Sequence, residues 1–151
     1  MIARLLLALA LLIVPPAHAA GAPVIVVVGD SVSAGYGLAP GQVWVALLEA
    51  RLKAERFPHR VINASISGDT TAGGRTRLPA LLAAHKPAVV VIELGGNDAL
   101  RGQPLAVTRA NLDAMTMAAQ SAGARVLILG MKLPPNYGPA YVREFDTLFE
   151  A

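Results

Sequence analysis

Hydrophobic positions along the chain fall into short blocks separated by polar loops, and the blocks alternate between two periods. Val24 to Val28 is an unbroken run of branched aliphatic residues closed by Gly29-Asp30-Ser31-Val32-Ser33. Such a run against a turn signal predicts a strand buried on both faces. From Val43 the spacing changes: Val43, Trp44, Leu47, Leu48 and Leu52 recur at helical intervals. This predicts an amphipathic helix that ends near Phe57-Pro58, with Trp44 as a core anchor. Arg60 to Ala64 predicts a short second strand, followed by a polar loop from Ser65 to Thr71. Leu78, Leu81 and Leu82 predict a helix whose start is obscured by Gly73-Gly74 and which Lys86-Pro87 stops. Ala88 to Leu94 is the third strand, running into Gly95-Gly96-Asn97-Asp98. A helix from about Pro104 to Ser121, a fourth strand from Arg125 to Gly130, a loop from Met131 to Gly138 and a helix starting near Pro139 complete the pattern.

Four strand-then-helix units imply parallel strands joined by crossovers, hence an α/β fold built as a three-layer α/β/α sandwich. In such a sheet the loops after successive strands open on one edge, where ligands gather. Ser31, Gly68 and Asn97 converge there if the first three strands are neighbours. A serine hydroxyl that attacks an ester or thioester carbonyl creates an oxyanion, which needs fixed hydrogen-bond donors. The backbone N–H of Gly68, the side-chain amide of Asn97 and the N–H of Ser31 itself are suitable. Each residue also has a plainer reading. Ser31 can close a turn or cap a helix, Gly68 can serve backbone conformation alone, and Asn97 can tie its own loop together.

The first residues change the domain count. Met1 to Ala20 carries one charge, Arg4, then an apolar run from Leu5 to Val14, Pro15-Pro16 and the small-residue pattern Ala17-His18-Ala19. This is the three-part layout of a secretory signal peptide over residues 1–19, and the apolar run is about half the ~20 residues of a spanning helix. Residues 20–151 are left as one domain, exported to the periplasm or medium without a stable membrane anchor. The chain has 13 basic and 10 acidic residues with no basic run, which argues against nucleic acid as a partner. It has no cysteine, and so neither a disulfide framework nor a thiolate metal site. No cofactor or metal is expected. The elbow of α/β-hydrolases needs Gly two residues after the nucleophile, and Ser33 stands there. A phosphate-binding loop is excluded as well, because no Gly-Lys-Ser/Thr is present.

With these residues in hand the chain resembles the SGNH, or GDSL-type, hydrolases, and among them the small exported bacterial thioesterases, arylesterases and lysophospholipases. Gly29-Asp30-Ser31-Val32-Ser33 is similar to the first family block, Asn63 to Thr70 to the second and Gly95-Gly96-Asn97-Asp98 to the third. The resemblance implies Ser31 as nucleophile, Gly68 and Asn97 as oxyanion donors, a flavodoxin-like sheet, and small acyl esters or thioesters as substrates held in a shallow acyl groove.

One block of that family is missing. No Asp-x-x-His, the source of the general base and its orienting carboxylate, occurs in the 151 residues. His18 lies in the signal peptide, and His59 and His85 precede the second and third strands. A strand of six residues at ~3.3 Å each puts them roughly 20 Å from Ser31, against the ~3 Å that proton transfer requires. The expectation is a C-terminally incomplete hydrolase domain, lacking a fifth strand and last helix, poorly soluble and with little or no activity by itself. The alternative is a non-catalytic lipid- or carbohydrate-binding module that keeps the cleft.

Overall fold

A computed structural model describes residues 21–149. The leader expected over residues 1–19 lies outside the described residues. The elements are β1 (Val24–Gly29), α1 (Ser31–Ala34), α2 (Trp44–Ala54), β2 (Arg60–Asn63), α3 (Thr71–His85), β3 (Val89–Glu93), α4 (Gly96–Leu100), α5 (Leu105–Ser121), β4 (Arg125–Ile128) and α6 (Pro139–Asp146). Two short 3₁₀ turns flank α6.

The four strands form one parallel sheet in the order β2-β1-β3-β4. β1 therefore has β2 on one side and β3 on the other, which is the adjacency that brings three loops together. Pairing starts at Val24 opposite Arg60 and runs to Gly29 opposite Glu93, so every strand points the same way.

Alternation along β1 splits the core in two. Val24, Val26 and Val28 face a large cluster with Leu78 and Leu82 of α3, Leu112 and Met115 of α5, and Phe145 of α6. Ile25 and Val27 face a smaller cluster under α2, with Val45 buried and Trp44, Leu48 and Leu52 packed against it. One face is covered by α2 and the other by α3 and α5, giving the three layers that the alternation of periods predicts.

The helix boundaries differ from the expected ones in two informative places. α3 runs straight through Gly73-Gly74, starting at Thr71 with the Thr70 hydroxyl accepting from the Gly73 N–H. The glycines are there for space: a Cβ on Gly74 would lie 2.4 Å from Leu94 Cδ1 and one on Gly73 1.9 Å from Asp69 Oδ1. The loops after β1 and β3 are also not plain loops, since each opens with a one-turn helix, α1 and α4.

Candidate active site

Ser31 is the first residue of α1 and is partly buried. Asp30 caps this turn, its Oδ1 accepting from the Val32 N–H at 3.0 Å and its carbonyl from the Ala34 N–H at 2.8 Å. Gly68 occupies the third position of a turn closed by the Asp69 N–H on the Ile66 carbonyl at 3.0 Å. Its φ is +78°, a conformation that favours glycine at this position. The Gly68 carbonyl takes a hydrogen bond from Arg101 Nη2 at 2.8 Å. Asn97 is the second residue of α4.

The amide of Asn97 brings the three loops into one unit. Its Nδ2 donates to Asp30 Oδ2 at 2.9 Å and to the Asp69 carbonyl at 3.0 Å. The turn of Ser31, the turn of Gly68 and α4 are thus joined through a single side chain. Arg77 of α3 adds a second clamp: Nε donates to Asp69 Oδ2 at 2.7 Å, Nη1 to the Ala64 carbonyl and Nη2 to the Gly29 carbonyl at 3.4 Å. A third holds the far side, where the buried Asp98 carboxylate accepts from the Thr71 N–H at 2.9 Å and from its hydroxyl. Thr71 in turn accepts from Asn111 of α5 at 3.1 Å.

Among the described residues the backbone N–H groups of Ser31 and Gly68 have no hydrogen-bond partner. Both residues are partly exposed, and Ser31 opens a helix, where first-turn N–H groups are left for water or a ligand to pair. Two unpaired donors on cross-tied loops, one of them on the serine itself, are able to take an incoming oxyanion.

Behind Ser31 stands a carboxylate that the sequence reading passed over. Glu93, 5% exposed, accepts from Ser33 Oγ at 2.6 Å, and the Ser33 hydroxyl accepts from Trp44 Nε1 at 3.0 Å. Burial pushes the Glu93 carboxyl above the usual glutamate range, with the Asp30 carboxylate adding to the effect against the Ser33 hydrogen bond. The signal was a lone charge inside the apolar run from Ala88 to Leu94. Arg77 left no comparable signal, since an arginine on a helical stretch reads as a solvated face, whereas Arg101 lies in Ala99-Leu100-Arg101-Gly102, a stretch similar to the loops flanking the acyl site of the SGNH family. His59 precedes β2, and His85 ends α3 ahead of β3, both at the amino edge and away from Ser31.

Comparison with known proteins finds relatives of similar sequence and fold. The chain is 58% identical over 132 residues to the esterase TesA of Pseudomonas aeruginosa, covering 87% of this chain and 66% of that protein. It is 44% identical over 125 residues to an arylesterase of Vibrio mimicus, covering 83% and 62%. With thioesterase 1/protease 1/lysophospholipase L1 of Escherichia coli it shares 41% identity over 132 residues, covering 87% and 62%. It thus spans somewhat under two thirds of the length of these relatives. A crystal structure of TesA superimposes with a TM-score of 0.81, over 83% of this chain and 69% of that one. Residues 27–150 match the GDSL-like lipase/acylhydrolase family, and the chain belongs to that family.

Proposed function

We propose that the rim around Ser31 is the acyl site of a serine-dependent ester or thioester hydrolase, of the arylesterase, thioesterase or lysophospholipase type. The observation that carries this reading is the three-way tie at Asn97, which fixes a serine and two unpaired backbone donors on one edge of the sheet. Ser31 Oγ attacks the acyl carbonyl, and the carbonyl oxygen, now negative, is held by the N–H groups of Ser31 and Gly68. Asn97 Nδ2 has both hydrogens engaged, so it assists by sharing one of them with the oxyanion in a three-centre bond. Collapse of the tetrahedral adduct expels the alcohol or thiol and leaves an acyl-Ser31 ester, which water hydrolyses.

The attack needs a base to take the Ser31 proton, and among the described residues no imidazole is brought to it. Full turnover therefore requires an Asp-x-x-His block that these residues do not contain. The names of the relatives support the substrate class: an esterase, an arylesterase and a thioesterase/lysophospholipase. Residues 1–19 are proposed to direct export, and residues 20–151 to form the hydrolase domain.

A fluorophosphonate probe tests the reading. Added to the 151 residues alone it is expected to leave Ser31 unmodified, with negligible hydrolysis of p-nitrophenyl acetate. With an Asp-x-x-His block supplied from a relative's C-terminal third, Ser31 is expected to be modified and Ser31→Ala to abolish labelling. Failure of the completed enzyme to label at Ser31 would favour the alternative, a binding module that keeps the cleft without catalysis.

A further inference from the structure

We infer that Glu93 is a positioning residue for the nucleophile turn, holding Ser31 by accepting hydrogen bonds from the residues on both sides of it and coupling that turn to Trp44. The inference rests on Ser31 being the nucleophile.

Glu93 ends β3 directly opposite Gly29 in the parallel register. Its Oε2 accepts from the Asp30 N–H, one residue before Ser31, at 3.4 Å, and from the Ser33 hydroxyl, two residues after it, at 2.6 Å. The Ser33 carbonyl is fixed in addition by Asn63 Nδ2 at 2.7 Å. The backbone is shaped to admit this contact: a Cβ on Gly29 would lie 2.6 Å from Ser33 Oγ and 2.8 Å from Glu93 Oε2. Glycine at that position is what lets the carboxylate and the hydroxyl close.

The choice of residue type points away from simple packing. A buried carboxylate is costly unless paired with a cation. Among the described residues no ion pair reaches Glu93. The charged groups around the turn are Asp30, which opposes a charge on Glu93, and Arg77, which bonds the Gly29 carbonyl but pairs with Asp69. What a carboxylate offers here is acceptors without donors. An N–H and an O–H both aim at it, and Ser33 Oγ is already committed as acceptor to Trp44 Nε1, so its own proton must go to Glu93. Both bonds go to Oε2, where a glutamine would offer its amide oxygen, a neutral and weaker acceptor than a carboxylate. A proton on Glu93 likewise removes the charge on the acceptor and weakens the Trp44–Ser33–Glu93 chain.

Trp44 is the only tryptophan in the chain, so intrinsic emission reports this link directly. Between pH 4 and pH 8 the wild-type chain is expected to show one transition shared by Trp44 emission and the Asp30 amide resonance. Its midpoint lies above the 4.5 usual for glutamate. Glu93→Gln removes both changes. It also speeds hydrogen exchange of the amides of residues 30 to 34 about tenfold, leaving those of Val26 and Val90 in the sheet unchanged. Ser33→Ala, which keeps the Asp30 contact and stands in should Glu93→Gln fail to fold, abolishes the Trp44 transition and preserves that of the Asp30 amide. Flat curves in wild type, a transition surviving Glu93→Gln, a Trp44 transition surviving Ser33→Ala, or an exchange change spread evenly over turn and sheet would each overturn the inference. These titrations do not depend on turnover, so their failure is distinct from a failure of Ser31 to label in the completed enzyme.

Discussion

Asn97 commits both hydrogens of its amide to the fold, one to Asp30 and one to the Asp69 carbonyl. Only a donor that strengthens as charge develops lowers the barrier of the chemical step. In an enzyme that carries the Asp-x-x-His block, Asn97→Ala is accordingly expected to lower kcat on the order of 100-fold or more, with KM changed much less. Steady-state kinetics on p-nitrophenyl esters check this, and unchanged turnover would remove Asn97 from the oxyanion site. The sequence pointed to Ser31, Gly68 and Asn97 because each stands in a compact polar loop after an apolar run. It pointed less well to the side chains that hold them. Arg77 and Glu93 act through contacts across the sheet from residues 48 and 60 positions away along the chain, at Gly29 and Ser33. No local pattern encodes such a contact.

At the scale of the elements, β3 is built to deliver two things to the rim: the α4 turn with Asn97, and Glu93 beneath the turn of Ser31. Burying Glu93 has a consequence for pH. Its carboxyl titrates above the usual range in the fold, so the native chain keeps the proton to higher pH than the unfolded one does. The stability this gives is fully present below the unfolded value and is lost as pH rises through the folded one. Denaturant midpoints of wild type are therefore expected to fall relative to those of Glu93→Gln as pH is raised from about 4.5 into the mildly acidic range. A difference that stays constant with pH, or grows in the opposite sense, would contradict the assignment. The strands and the amphipathic helices were legible from their two periods. The start of α3 was not, because Gly73-Gly74 reads locally as a break, whereas their packing against Asp69 and Leu94 leaves room for nothing larger. Trp44 was legible as a core residue, but its second role as a donor to Ser33 depends on α1 and α2 meeting in space.

Over the whole molecule, the order β2-β1-β3-β4 is what turns separate loops into one rim, because it seats β1 between the two strands whose loops serve it. The same order leaves β4 as an outer strand of the described sheet, with Leu127 half exposed. Unpaired edges carrying apolar side chains invite intermolecular pairing. The 151 residues alone are expected to self-associate in light scattering, and Leu127→Lys to reduce this. A monodisperse monomer at high concentration would contradict that expectation. The neighbour relation of the first three strands followed from no single stretch of sequence; it entered as a condition, and the parallel register from Val24 to Gly29 satisfies it. The most direct measurement of the central claim is the crystal structure of the phosphonate adduct of the completed enzyme. The account predicts phosphorus on Ser31 Oγ and the phosphoryl oxygen about 3 Å from the N–H groups of Ser31 and Gly68 and from Asn97 Nδ2. A phosphoryl oxygen turned to solvent, with those donors left unpaired, would contradict it.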